Sequence, residues 1–169
     1  MTDHITLDNA PDRAVVAFTC TGRATGKMRN ELDVRMVEPM EERFTLATDE
    51  GPFHGGDASA PPPLALFIGG LTGCIMTQIR AFAKRLGVTL NELQVDARVE
   101  WDWAKADGVY ETAPKSFHLD ILIDSDDPTD AQLELIKAAK KGCFIEQTLG
   151  QSNVITHRMK TEAGWVAVE

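Results

Sequence analysis

The chain has few cysteines: three among 169 residues, none of them close to another in sequence. That odd number argues against a disulfide-stabilised secreted scaffold and favours a reducing compartment. No uninterrupted apolar run reaches the roughly 18–20 residues of a membrane span. The first 13 residues also lack the basic segment and apolar core of a secretory signal. We therefore expect a cytoplasmic protein without a membrane-inserted segment.

Positive charge is also scarce, since 17 Lys and Arg stand against 26 Asp and Glu and give a net charge of −9. Such a balance argues against nucleic acid and anionic membranes as partners. The glycine-rich nucleotide motifs and the serine-hydrolase motif GxSxG are missing. The four histidines show no metal-ligand spacing with each other or with the cysteines. The sequence thus predicts no bound cofactor and no metal.

The most informative stretch is residues 60–87, because its apolar residues recur at steps of three and four, as they do in a helix. We expect Ser59 to cap this helix, the prolines that follow to form its first turn, and Gly87 to end it. Its polar face is thin, so the helix should be buried over most of its circumference. Three glycines near its middle predict that another group approaches the backbone closely; they are Gly69, Gly70 and Gly73.

The remaining segments predict an α+β protein with a mainly antiparallel sheet and one domain over residues 1–169. Alternating apolar and polar residues indicate strands on both sides of the central helix, followed by two helices and a closing hairpin. The expected strands are 13–20, 29–37, 43–48, 93–103, 116–124, 153–160 and 164–168. The expected short helices are 127–141 and 143–149, and the expected loops include 21–28, 49–60 and 104–114.

Two cysteines are candidates for chemistry. Cys143 begins a helix, where backbone N–H groups and the positive helix end favour a thiolate. Cys74 lies within the central helix and would need a cation, which Arg23 in the 21–28 loop could supply. Either cysteine can instead be a small core residue, and Arg23 can be an exposed turn residue. Cys20 has the context of a strand packing residue.

The residues Gly55-Gly56, Pro63, Leu66-Phe67 and Cys74, followed by a second cysteine at Cys143, resemble the OsmC / organic hydroperoxide resistance family. The segment 21–27 is similar to that family's first hairpin, with Arg23 at its arginine. The resemblance implies an OsmC-like fold with antiparallel sheets around a long buried helix, and an intertwined homodimer. It also implies a peroxide substrate, with Cys74 as peroxidatic cysteine, Cys143 as resolving cysteine and Arg23 as activating arginine. A small thiol or dithiol would then recycle the enzyme.

The sequence departs from the family pattern at two positions. Leu64 stands where hydroperoxide-resistance members carry a glutamate that holds the arginine, and Phe144 stands where proline usually follows the second cysteine. Asp49 or Glu50 could replace the glutamate, or both could be solvated turn residues. These departures favour a general OsmC-like member. Two hypotheses stay open: a thiol-dependent peroxidase, and a non-catalytic protein that binds a small ligand on the same fold.

Overall fold

A computed structural model describes residues 12–168 and divides the chain into two compact units, one ending at Phe67 and the other beginning at Ile68. The prediction of no secretory signal rests on residues 1–13, most of which lie outside the described residues. That the whole chain forms one domain stays a prediction. The elements in chain order are β1 (Ala17–Ala24), β2 (Asn30–Glu38), β3 (Glu42–Thr48), α1 (Pro63–Leu86), β4 (Glu92–Ala106), β5 (Val109–Asp124), α2 (Thr129–Gly142), α3 (Phe144–Leu149), β6 (His157–Thr161) and β7 (Gly164–Val168).

The first unit contains an antiparallel sheet in the order β1-β2-β3. Strands β2 and β3 begin and end within one residue of their predicted bounds. Strand β1 lies four residues later than predicted, because residues 21–24 continue the ladder with β2 instead of turning. Arg23 is therefore a strand residue paired with Glu31, and its predicted place in a turn is wrong.

The second unit contains a two-stranded antiparallel ribbon formed by β4 and β5. The loop predicted at 104–114 is wrong, since β4 continues to Ala106 and pairs there with Val109. The connecting residues Asp107 and Gly108 have φ angles of 46° and 87°. Asp-Gly is the preferred sequence for such a two-residue hairpin turn, because both positions need positive φ. The remaining strands, β6 and β7, form a separate hairpin.

Helix α1 spans 24 residues, as its periodicity predicted, but it buries only one stripe of them. The stripe residues lie four apart on one face of the helix; they are Leu71, Ile75, Ile79 and Ala83. Leu64 and Leu86 are 52% and 54% exposed. The prediction of a helix buried over most of its circumference is therefore wrong for the single chain.

Three residues of the buried stripe, Ile75, Ile79 and Ala83, belong to the hydrophobic core. The core also includes Val88, Val95, Leu135, Ala139 and Cys143. By length and composition α1 could cross a membrane, because its most apolar 18-residue window has a mean hydropathy of 1.4. The sequence had predicted no such segment. Since one face of α1 packs into this core, we assign it as the core helix of the fold.

None of the three glycines of α1 shows the expected close backbone approach. A Cβ added at Gly69 or Gly73 would have no neighbour within 4 Å among the described residues. A Cβ at Gly70 would make only an ordinary contact with Ile145. The close approach occurs instead at Gly142, where a Cβ would lie 2.7 Å from Cζ of Phe82. This glycine lets the end of α2 pack tightly on α1.

Candidate functional site

The loop before α1 is organised by Asp49, whose side chain is almost fully buried. Its Oδ2 accepts hydrogen bonds from the N–H and the hydroxyl of Ser59, at 2.9 and 2.7 Å. Its Oδ1 accepts one from the N–H of Glu50. These bonds, above all that from the Ser59 hydroxyl, hold the pKa of Asp49 below its usual value. Asp49 is thus a structural acceptor, and the interpretation of it as a solvated turn residue is wrong.

Ser59 does not act as the expected helix cap, because its polar groups serve this loop. Besides its bonds to Asp49, its carbonyl and hydroxyl oxygens both accept hydrogen bonds from Nη1 of Arg29 at 2.9 Å. Nε of Arg29 forms an ion pair with Glu31 at 2.7 Å. Arg29 therefore fastens the loop to the start of β2.

The glycine pair of the loop is required by its geometry. Gly55 has a φ of 80°, in the left-handed region that glycine adopts without strain. A Cβ on Gly56 would overlap the carbonyl group of Glu50. The loop thus fixes how the chain enters α1, since the N–H of Asp49 also donates to the carbonyl of Pro61.

Cys143 lies between α2 and α3, at the N-cap position of α3, and is fully buried. Burial is the main reason that its pKa rises to about 11, against an opposing effect of the backbone amide of Glu146. The side chain of Cys74 raises it further, as a hydrogen-bond partner and as a charge. The sequence had predicted a thiolate stabilised by the helix start. That prediction is wrong, because desolvation of the charged form outweighs the amide.

Cys74 is partly buried on α1 and packs against the core that contains Cys143. Both are free thiols, as is Cys20, which lies exposed on β1. The structure therefore places both cysteines in the second unit, Cys143 within its hydrophobic core and Cys74 packed against that core. That the two thiols pair with each other stays a prediction. Arg23 belongs to the first unit, is exposed, and forms no side-chain ion pair or hydrogen bond with the described residues. Its predicted action on Cys74 stays a prediction.

Glu146, in the first turn of α3, is a charged residue of this region that the sequence analysis did not identify. Its Oε1 lies 3.9 Å from Nζ of Lys140, and its Oε2 is buried with no hydrogen-bond partner in the described part of the chain. The negative charge of Glu146 also contributes to the raised pKa of Cys143. Its position three residues after a cysteine at a helix start was the available signal.

An apolar groove of about 450 Å³ lies beside these residues in the second unit. It is lined mainly by α1, α2, α3 and β5. Leu71 of α1 lines it one turn before Cys74, and Lys140 and Glu146 are its charged lining residues. Its apolar lining residues are Leu71, Phe117, Leu119, Ile121, Ile136 and Leu149.

Other candidates have weaker support. His54 is an exposed residue of the glycine-rich loop, and its Nδ1 lies 3.3 Å from Oε2 of Glu50. No group of three or more His, Cys, Asp or Glu side chains within residues 12–168 could hold a metal ion. Leu64, where the family's glutamate would lie, is an exposed residue at the start of α1.

Comparison with known proteins identifies the family. The family model of OsmC-like proteins matches residues 55–158. An OsmC-like hydroperoxide resistance protein from Jannaschia sp. CCS1 is 67% identical, with a TM-score of 0.64, covering 90% of this chain and 98% of that one. An OsmC-like protein from Mycoplasma pneumoniae is 20% identical, with a TM-score of 0.59, covering 83% and 89%.

A third solved structure has the same fold at low identity. An organic hydroperoxide resistance protein from Legionella pneumophila is 18% identical, with a TM-score of 0.53, covering 78% of this chain and 88% of that one. A search of the curated proteins found no significant match. The matched region includes the glycine pair, the central helix and both Cys74 and Cys143. This chain therefore belongs to the OsmC-like protein family.

Proposed function

We propose that this protein is a thiol-dependent peroxidase that reduces hydrogen peroxide or organic hydroperoxides, and that it serves defence against oxidative stress. One observation supports the proposal: two free thiols belong to the same unit, with Cys143 in its hydrophobic core and Cys74 of α1 packed against that core. The similarity to proteins named for hydroperoxide resistance supports the choice of substrate. A small thiol or dithiol would return the oxidised protein to its starting state.

The environments of the two thiols support different roles. With a pKa of about 11, Cys143 is a thiolate in about one molecule in ten thousand at pH 7. The thiolate is the nucleophile in cysteine chemistry, so Cys143 is poorly suited to attack a peroxide. Cys74, which is partly exposed, would attack the peroxide oxygen and become a sulfenic acid. Cys143 would then displace the hydroxyl and form a disulfide.

Arg23 is proposed as the cation that activates Cys74. A guanidinium beside a thiolate stabilises the negative charge and can polarise the peroxide bond. Arg23 is available for this, since its side chain makes no ion pair within residues 12–168. We expect Arg23→Ala to slow peroxide consumption at least tenfold, while the exposed Arg35→Ala has no effect.

Replacing each cysteine by serine tests the division of labour. Cys74→Ser should consume no peroxide above background, because the attacking group is gone. Cys143→Ser should consume about one equivalent and stop as a sulfenic acid unless an external thiol is added. Cys20→Ser, at an exposed position on β1, should behave as the unaltered protein.

The disulfide is the second readout of the same experiment. Mass spectrometry of peroxide-treated protein without reductant should show Cys74 linked to Cys143 within one chain. Full activity of Cys74→Ser, or loss of peroxide while Cys74 stays unmodified, would overturn the proposal.

The apolar groove favours a second candidate function, the binding of a small apolar ligand without catalysis. Its volume of about 450 Å³ lies in the range of ligand pockets, and most of its lining is apolar. A fold alone does not guarantee the activity of its relatives. If the unaltered protein consumes peroxide no faster than background, this second function becomes the better one.

A further inference from the structure

The sheet of the first unit has one charged face. Arg23 of β1 pairs with Glu31 of β2, and Asp33 lies on the same face because residues two apart in a strand point to the same side. The ion pairs that Asp33 forms with Arg35 and Arg43 belong to this face as well. Arg23 therefore shares a surface with two carboxylates of β2.

Glu31 lies directly across the β1–β2 ladder from Arg23. The two residues are Cα partners in the antiparallel register. Side chains in this relation have Cβ atoms about 4.5–5.5 Å apart, and opposite charges at such positions attract each other. Arg23 is exposed, and exposed side chains change rotamer within nanoseconds. Side-chain rotation alone can therefore bring the guanidinium of Arg23 onto the Glu31 carboxylate.

The carboxylate of Glu31 has one oxygen to offer. Its Oε1 accepts a hydrogen bond from Nε of Arg29 at 2.7 Å, whereas its Oε2 accepts none from the described residues. A carboxylate has about four acceptor sites, so it can bind two guanidinium groups at once. Nη1 of Arg29 also donates to Ser59, and Arg29 thereby fixes the direction in which the Glu31 carboxylate points.

Asp33, the other carboxylate on this face of β2, is already engaged. Its Oδ1 accepts a hydrogen bond from Arg43 at 2.7 Å, and its Oδ2 accepts from Arg35 at 2.9 Å and from Arg43 at 3.2 Å. Asp33 is the Cα partner of Thr21, so it lies diagonally from Arg23 and farther away than Glu31 does. Glu31 is the better placed partner for Arg23.

We propose that Glu31 is a positioning residue that holds the guanidinium of Arg23 on Oε2 while Arg29 occupies Oε1; this inference rests on the proposed function, in which Arg23 is the activating cation. Arginine stays charged at every physiological pH, so its effect on a thiolate depends on where the guanidinium is held. A free arginine side chain samples many rotamers, and ordering it costs entropy. A carboxylate across the ladder limits that freedom before any substrate binds.

The side chain of Arg23 can be observed without peroxide, which separates this inference from the proposed function. The probe is the Nε–H resonance of Arg23 in isotopically labelled protein, identified by its loss in Arg23→Lys. We expect Glu31→Gln to accelerate exchange of this hydrogen with solvent about threefold, the size of effect that an exposed ion pair supports. In about 1 M sodium chloride the difference should shrink, because salt screens exposed charges.

Two further variants distinguish a partner of Arg23 from a residue that only maintains the fold. Asp33→Asn removes the neighbouring carboxylate and should leave exchange at Arg23 unchanged. Arg29→Gln removes the other bond of Glu31 but keeps its carboxylate, so exchange at Arg23 should again stay slow. In peroxide consumption, Glu31→Gln should cost about threefold in the unaltered protein and nothing further in an Arg23→Ala background.

Equal exchange at Arg23 in Glu31→Gln and the unaltered protein would overturn this inference. An equal acceleration in Arg29→Gln would also overturn it, because the effect would then come from the loop that Arg29 holds. Acceleration in Asp33→Asn alone would make Asp33 the partner instead. If the unaltered protein consumes no peroxide but Glu31→Gln still releases Arg23, the proposed function fails while the ion pair stands.

Discussion

Burial separates the three cysteines from one another. Cys143 is 0% exposed, Cys74 is partly buried and Cys20 is exposed. Alkylating reagents attack the thiolate and need access to it, so both the raised pKa and the burial should protect Cys143. We expect iodoacetamide at pH 7.5 to modify Cys20 first and Cys143 last, with rates for these two differing at least a hundredfold. Peptide mapping over time measures this order.

The same alkylation carried out on the unfolded protein is the control. In denaturant all three cysteines should react at similar rates, because the differences arise from the folded environment. Rapid modification of Cys143 in the folded protein would mean that the α2–α3 junction opens readily.

Asp49 should make the stability of the loop before α1 depend on pH. Its pKa lies below the ordinary value in the folded protein, so its carboxylate contributes stability at pH values above the ordinary pKa. That contribution should be lost as the pH falls through the lowered pKa. We expect Asp49→Asn to lower the melting temperature at pH 7 and to have a much smaller effect near pH 3. Asp126→Asn, at an exposed position, should change little at either pH.

Cys74 and Cys143 became candidates through the resemblance to the family's cysteine spacing, because either cysteine taken alone can be a core residue; their catalytic roles stay predictions. The sequence did not predict the environments of Asp49 and Glu146, because both depend on what surrounds a carboxylate. Asp49 receives three hydrogen bonds from residues up to ten positions away, and one oxygen of Glu146 receives none from the described residues. The sequence around an acidic residue does not distinguish these two environments.

Among the elements, the loop of residues 49–60 should be sensitive to small changes at its glycines. A methyl group on Gly56 would overlap the Glu50 carbonyl, and backbone cannot move aside as a flexible side chain can. We expect Gly56→Ala to lower the free energy of unfolding by about 1–3 kcal/mol, the usual range for an overpacked site. Gly51→Ala is the control, since a Cβ there would have no neighbour within 4 Å. Chemical denaturation of both variants gives the comparison.

Strands and helices followed the sequence pattern closely where one face is buried. β4 begins with Leu93 and Val95 directed to the core, and its alternation was readily visible. The pattern failed at 104–114, because both faces of the distal ribbon are largely exposed and no core selects between polar and apolar residues. The Asp107-Gly108 pair was the available local signal for a hairpin there, and the prediction of a loop did not use it.

For the whole molecule we predict a homodimer in which the exposed face of α1 and the neighbouring strands form the interface. In the single chain α1 leaves Leu64, Leu66 and Leu86 exposed, and open space surrounds Gly69 and Gly73. Large exposed apolar surfaces of this kind mark sites of protein association. The interface should bury about 2,000 Å² or more. Light scattering at micromolar concentration should give twice the mass of 18.5 kDa.

Gly73→Leu tests the proposed face directly. In an isolated chain this change should stabilise α1 by about 1 kcal/mol through helix propensity, since nothing lies near the added side chain. In a dimer packed through that face it should cause a clash and shift the mass towards the monomer. A monomeric unaltered protein would contradict the prediction. If Gly73→Leu stayed fully dimeric, the interface would not include the face of α1 around Gly73.

Hydrogen exchange along the β4–β5 ribbon can show where a second chain covers it. Strands of 15 and 16 residues reach about 50 Å, yet only the end near Leu93 and Ile121 is packed on the core. Two strands alone are marginally stable in water, so amide hydrogens near Trp103 and Tyr110 should exchange with solvent far faster than those at the packed end. Dilution would then leave exchange at the packed end unchanged and accelerate it at the tip only where a second chain had been covering the tip. The amides whose exchange accelerates on dilution are therefore the ones that a second chain covers.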